Sequence, residues 1–467
     1  MSLSHLLSFS FFFAGLLLVS SAFAQDTKEV VDPARFEKEV ILSGALDPMQ
    51  FEVLADGRIY FIEITGRLKY YRPDTKTVEE IGHLPAGRFN EVGLMGMKLD
   101  PDFDRTQQLY LFYCHQDHKD QLRISRFQLQ EGMLDLDSEI VMLQYPIDAE
   151  GATHMGGGMF MDRHGDLYIG TGDNCTPSPE VPVDQREGRE RVDALRSSGN
   201  TNDLRGKVLR IHPEEDGSYT IPEGNLFPAG KGGRAEIYAM GCRNPFRIYV
   251  DPKTEWLYWG DVGPNIRLDL EAGPNGYDEV NQARSAGNFG WPMFVGPNEA
   301  YRWWDFEAQK PGPWFNVERP INSSRNNTGS QHLPPPQKAF IWYPTTKSEQ
   351  FPELGSGGRS AMAGPIYHFD PELKSDLKLP AGLDGKLFIF EWTRNWIKTV
   401  EFDNQGGVGR IAPFLGQMIF RKPIDMKFAA DGTLYLIEYG DKWGGNEDAQ
   451  IVRIVYRRGN RRPVAIA

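Results

Sequence analysis

Short apolar runs alternate with polar turns along most of this chain, and stretches with the period of an amphipathic helix are few. One phrase recurs: a polar turn ending in Asp-Gly or a similar pair, then a small apolar strand opening on Leu or Ile beside an aromatic. Its six copies lie at 55–61, 102–111, 162–168, 251–258, 383–388 and 430–435, with the longest gap between the fourth and the fifth. Unrelated hairpins in a sandwich would not share residue types as well as a repeat, and here both recur. Radial repetition of short β units marks a propeller, and six phrases predict six blades. The expected fold is all-β: a six-bladed β-propeller with long inserted loops. Residues 184–195 (DQREGRERVDAL) suit a surface helix or a solvated loop. The long gap holds 297–337, with Tyr301, Trp303, Trp304 and Trp314, as a lid or a surface ornament. Its tryptophans either stack on a sugar or pin the loop to the body.

The most informative stretch is 151–174, GATHMGGGMFMDRHGDLYIGTGDN. Met159-Phe160-Met161 and Leu167-Tyr168-Ile169 read as two strands, and Arg163-His164-Gly165-Asp166 as the turn between them. A hairpin brings its two outer ends together. His154, before the first strand, and Asp173, after the second, are therefore expected at one rim of a sheet, beside glycines that let backbone approach a ligand. Taken singly, such a His is more often a loop residue and such an Asp a turn former. The rest of the chain gives the pair its weight.

Composition narrows the class. With 40% hydrophobic and 12% aromatic residues the chain can bury a sizeable core, and 49 Gly with 32 Pro suit many strands joined by turns. Fifty-one basic against 64 acidic residues leave a formal charge of −13, which argues against nucleic acid or an anionic membrane surface as partner. The apolar run at 6–20 followed by Ala22-Phe23-Ala24 reads as a signal peptide, residues 1–24, with the mature chain starting at Gln25. A periplasmic or secreted protein without a membrane span after cleavage is expected, with the propeller over 25–456 and a basic tail or linker over 457–467. Cys114, Cys175 and Cys242 have no metal spacing and permit at most one disulfide.

A second constellation follows the strand-like 236–240: Gly241-Cys242-Arg243-Asn244-Pro245, then Gly263-Pro264, Asp278-Glu279-Val280-Asn281 and Asn288-Phe289-Gly290-Trp291-Pro292. Together with His154, Asp173, 204–211, Ile221-Pro222 and Asn225, and in this order, these residues resemble the pyrroloquinoline quinone (PQQ)-dependent soluble glucose and aldose sugar dehydrogenases, glucose/sorbosone dehydrogenase-like six-bladed propellers. The resemblance covers about 46–456.

It implies an oxidoreductase that removes hydride from the anomeric carbon of an aldose and passes it to PQQ. His154 aligns with the general base, a role that suits imidazole, and Asp173 with the residue that orients it or the sugar. Arg243, Asn244, Arg394 and Lys422 align with cofactor contacts; Gly263 and Pro264 align with backbone carbonyls that ligate calcium at the quinone. The sugar and the electron acceptor stay open. The sequence departs from the family pattern at Glu91, Thr153, Arg394 and Lys422, and Ile424 stands where a second cofactor arginine is usual. That loss favours an alternative: a propeller that binds carbohydrate or a partner without redox chemistry. Another alternative is a calcium-dependent, lactonase-like hydrolase with Glu91, Asp173, Asn244 and Asp425 around a central metal.

Overall fold

The computed structural model describes residues 31–150, 153–176, 183–265 and 273–459. The expected signal peptide and all but 457–459 of the basic tail lie outside the described residues. The chain winds into six blades of four antiparallel strands around a central channel, the third extended by the short strands Tyr219–Thr220 and, in parallel, Gly287–Asn288. Blade 1 is β2 (Pro48–Val53), β3 (Ile59–Glu63), β4 (Arg67–Arg72) and β5 (Thr77–His83), preceded by β1 (Phe36–Ala45). Blade 2 is β6 (Leu94–Leu99), β7 (Gln108–Tyr113), β8 (Gln121–Gln130) and β9 (Met133–Pro146). Blade 3 is β10 (Gly156–Met161), β11 (Leu167–Thr171), β12 (Lys207–Pro213) and β13 (Ile237–Met240). Blade 4 is β14 (Pro245–Val250), β15 (Leu257–Asp261), β16 (Asp278–Ala283) and β17 (Ile341–Tyr343). Blade 5 is β18 (Ala361–Ile366), β19 (Leu387–Glu391), β20 (Trp396–Phe402) and β21 (Val408–Pro413). Blade 6 is β22 (Pro423–Phe428), β23 (Leu434–Glu438) and β24 (Ala449–Tyr456), completed by β1 as its outer strand.

That last pairing closes the ring. Strand β1 runs antiparallel to β24 from Phe36↔Tyr456 to Ala45↔Ala449, so the first and last described strands share one sheet. Side chains of β1 join a core that also takes residues from blades 1, 2, 5 and 6.

The recurring phrase marks one structural position. Every copy is the turn between the first and second strands of a blade. Four copies turn on a glycine with positive φ: Gly57 (88°), Gly165 (83°), Gly385 (72°) and Gly432 (76°). In the other two, Gln107 (54°) and Glu255 (61°) take the left-handed backbone instead.

Residues 184–195 form a loop with a single 3-10 turn, Glu190–Val192. The insertion at 297–337 sits between the third and fourth strands of blade 4. Asn322 donates to the carbonyls of Leu195 (2.9 Å) and Gly199 (2.8 Å), and Asn326 donates to Asp193 at 2.9 Å. Tyr301 is buried and pins the insertion, whereas Trp314 stays exposed under Arg302.

Candidate active site

In each blade the chain reaches the channel mouth just before it enters the innermost strand. The residues there are Asp47, Glu91, His154, Arg243 with Asn244, Arg359 with Ser360, and Lys422, one group per blade. Topology, not proximity in sequence, gathers them on one rim.

His154 and Asp173 meet as the hairpin predicts: His154 Nδ1 lies 2.8 Å from Asp173 Oδ1, and both are buried. Their approach depends on Gly172, because a Cβ there would stand 1.7 Å from the His154 carbonyl. His154 itself holds a left-handed backbone, φ 55°, with its N–H donated to Glu91 at 2.7 Å. Such backbone in a non-glycine residue persists only where its surroundings fix it. Asp173 also accepts the Trp291 indole N–H at 2.8 Å and the Cys175 N–H at 2.9 Å. Burial alone would raise its carboxyl. The charges of His154 and Arg243 outweigh burial and hold it below the usual carboxylate range. An ionised Asp173 only accepts, so Nδ1 is the ring nitrogen that donates to it.

Arg243 and Asn244 are fixed from below by Asp261 at the end of β15. Asp261 accepts N–H groups from Arg243 (3.0 Å) and Asn244 (2.6 Å). Arg243 spends one guanidinium N–H on the Val262 carbonyl at 2.6 Å and lies 5.9 Å from the Trp291 ring. Asn244 Oδ1 accepts the Gly156 N–H at 2.8 Å, tying the arginine segment to the His154 hairpin. Burial pushes the Asp261 carboxyl up to about 7 and its neighbour Glu279 up to about 8.

Gly263 and Pro264 are in place beside this group, and the loop ahead of β16 crosses them closely: a Cβ on Gly263 would fall 1.5 Å from the Tyr277 carbonyl. The Pro264 carbonyl, however, is not available to calcium as the sequence suggested. The buried Arg359 donates Nη2 to it at 2.7 Å and Nη1 to the Gly276 carbonyl, with Nε 3.5 Å from Asp278. Calcium bonded to that oxygen would stand about 4 Å from a guanidinium nitrogen, and even unit charges at that range repel by about 4 kcal/mol at an effective permittivity of 20. The cradle and calcium do not fit together while Arg359 is there.

The other two cofactor expectations are placed differently. Arg394 turns away from the channel, donating to the carbonyls of Gly358 (2.7 Å), Leu354 (2.9 Å) and Pro344 (2.8 Å). It staples the 344–358 loop. Lys422 lies on the rim with Nζ 4.1 Å from the Trp392 ring. Of the residues of the hydrolase alternative, Glu91, Asp173 and Asn244 meet at 154–156, each already engaged there, and Asp425 stands apart. Asp173 holds His154 and Asn244 holds Gly156, while Asp425 lies down the channel, 3.7 Å from Arg247 and accepting the Phe51 N–H. No group of three or more His, Cys, Asp or Glu side chains able to hold a metal is found among the described residues. Cys114, Cys175 and Cys242 are buried and free.

The Tyr301 and Tyr343 hydroxyls are buried without a hydrogen-bond partner among the described residues. Sequence reasoning missed Arg359 as a site residue. Its signal was present: a cation at a strand entry after a glycine pair, Gly357-Gly358-Arg359, like Arg243 after Gly241-Cys242.

The glucose/sorbosone dehydrogenase family model matches residues 46–311, more than half of the 467-residue chain. The chain belongs to this family. The glucose/sorbosone dehydrogenase match takes in His154, Asp173, Arg243, Asn244, Gly263 and Pro264 and stops short of blades 5 and 6. The chain is 26% identical over 289 residues to the aldose sugar dehydrogenase YliI of Escherichia coli K12, covering 61% of this chain and 67% of the relative. It is 25% identical over 346 residues to quinoprotein glucose dehydrogenase B of Acinetobacter calcoaceticus, covering 69% of this chain and 67% of the relative. Among solved structures, the PQQ-bound aldose sugar dehydrogenase of Streptomyces coelicolor superposes with a TM-score of 0.57 at 18% identity, over 91% of this chain and 100% of that one. The apo form of the soluble Escherichia coli aldose sugar dehydrogenase gives 0.59 at 17% identity, over 90% and 100%. These two likenesses establish the six-bladed fold.

Proposed function

We propose that this chain is an exported, PQQ-dependent dehydrogenase that oxidises an aldose at its anomeric carbon, with His154 as the general base. The observation that carries this reading is the buried His154–Asp173 pair at the channel mouth, on a rim that also bears Arg243, Arg359 and Lys422. The relatives named as quinoprotein and aldose sugar dehydrogenases support the same chemistry.

PQQ bears carboxylates and quinone oxygens, and the donor set present here suits it. Arg243 keeps guanidinium N–H groups beyond the one on Val262, and the buried Tyr301 hydroxyl has no hydrogen-bond partner among the described residues. Lys422 would add a cation from the opposite rim. Arg394 would act one step back, by holding the 344–358 loop. When bound, PQQ supplies the two-electron acceptor for the anomeric hydride.

The chain's own residues do the rest. Asp173 locks the imidazole tautomer and orientation, so that Nε2 accepts the anomeric hydroxyl proton as hydride departs. Trp291 fixes the far oxygen of Asp173 and keeps water from it. A lactone leaves, and His154 returns its proton to solvent at the open mouth. The reading is tested by titrating the purified mature chain with PQQ and following dye reduction across a panel of aldoses. Binding with turnover is the expected result. Saturating PQQ without oxidation of any aldose, or no PQQ binding, would leave a non-redox binding propeller as the better account.

A further inference from the structure

Arg359 is the one rim cation that the family resemblance did not supply, and its setting is specific. Two nitrogens of its guanidinium fork reach two carbonyls, Pro264 O at 2.7 Å and Gly276 O, contributed by the two segments that flank 266–272. The third faces the Asp278 carboxylate at 3.5 Å. Asp278 is itself fixed by the N–H groups of Gly263 (3.1 Å) and Ala361 (2.9 Å). The side chains of Arg359 and Asp278 are almost wholly buried, 2% and 1% exposed. Two carbonyls and a carboxylate are oxygen donors of the kind that a hard divalent cation takes. In this chain all three surround one guanidinium. The glycines are shaped to it as well: a Cβ on Gly276 would fall 1.8 Å from the Pro264 carbonyl, so the two carbonyl-bearing segments can lie side by side only without a side chain there.

We infer that Arg359 is a built-in replacement for the divalent cation of the cofactor site, so that the chain binds PQQ without calcium. This rests on the dehydrogenase reading for the identity of the cofactor, but not for the cation. A guanidinium is permanently charged, cannot be removed by chelators and offers N–H donors in place of open coordination positions. It orders the Pro264 and Gly276 segments as a metal would, with its Nε turned to the Asp278 carboxylate at 3.5 Å.

The test uses the full mature chain, washed with EGTA, in two measurements. In the first, PQQ is titrated in EGTA and in millimolar calcium. The wild-type dissociation constant is expected to be the same in both within about twofold, whereas Arg359→Ser loses about tenfold or more in EGTA and recovers in calcium. In the second, thermal midpoints are measured without PQQ. Calcium should raise the midpoint of Arg359→Ser, whose carbonyls and Asp278 are left facing one another, and should leave wild type and Arg359→Lys unmoved. The inference is overturned if chelation weakens wild-type PQQ binding about tenfold, or if calcium stabilises wild type as much as Arg359→Ser. If wild type binds PQQ in neither medium, the dehydrogenase reading fails, and the melting comparison alone decides the cation. If Arg359→Ser does not fold, wild type and Arg359→Lys still decide it, since calcium dependence in either contradicts the inference.

Discussion

At the scale of single residues, the site turns on a carboxylate used in an unusual place. In blades 1, 4, 5 and 6 the second strand ends on a buried acid: Glu63, Asp261, Glu391 and Glu438. Each accepts a backbone N–H from the segment entering its own blade, namely Leu46, Asn244, Ser360 and Arg421. In blade 3 the strand ends on Thr171 instead. The acid falls two residues later, at Asp173, and takes the imidazole of His154 and the indole of Trp291. A scaffold device thereby becomes an orienting group. Asp173→Asn should preserve the fold and PQQ binding, since the amide oxygen can still accept the Trp291 indole N–H while its NH2 turns to Nδ1, at the loss of the Cys175 N–H bond. It should lower kcat by about 10²–10⁴ through the wrong imidazole tautomer, read in steady-state kinetics. Glu279 makes a separate prediction. Burial, then the nearby Asp261, lifts its carboxyl to about 8 from an ordinary 4.5. A raised acid favours the folded state fully below its unfolded value, and that contribution is lost as pH rises towards 8. Glu279→Gln removes this loss. Its thermal midpoint relative to wild type should therefore climb between pH 5 and pH 8, and a constant or falling difference would contradict the assignment.

At the scale of elements, the sequence was legible where a short pattern has one physical solution. The repeated turn phrase located all six first-to-second strand connections, because Asp-Gly with a following β-former leaves the backbone little choice. The hairpin from 156 to 171 likewise fixed the meeting of His154 and Asp173. What could not be read was pairing across long sequence distance. Arg359 comes to Pro264 and Gly276 only because blades 4 and 5 are neighbours, and Arg394 is absorbed by carbonyls of a loop 36–50 residues earlier. A cation's alignment gives its address but not its acceptor. Ring closure was also invisible, since β1 carries no motif. Its eight register pairs with β24 and the burial of Phe36, Leu42 and Ala45 make it the fourth strand of blade 6. Removing the segment up to Ala45 should leave an unpaired edge on β24 and expose that core. The truncated chain is expected to lose cooperative unfolding and to aggregate, whereas a chain starting at Val31 should melt as one unit.

At the scale of the whole molecule, the propeller converts six strand entries, distant in sequence, into one ring of functional side chains. The paired His154 and Asp173 come from blade 3, cations come from blades 4, 5 and 6, and Arg247 of blade 4 donates to the Ile424 carbonyl at 2.8 Å. The Ile424 side chain, where the sequence lacks an expected arginine, is buried, and the Arg247 guanidinium of blade 4 reaches its backbone instead. Function therefore depends on the assembled rim rather than on any one motif. The most direct measurement of that claim is aldose oxidation by the PQQ-loaded chain, comparing wild type with His154→Gln at equal PQQ occupancy. The account predicts unchanged PQQ affinity and a fall in kcat of about 10²–10⁴. A His154→Gln chain that binds PQQ normally and oxidises aldoses at the wild-type rate would show that the base lies elsewhere and that the His154–Asp173 pair is scaffold.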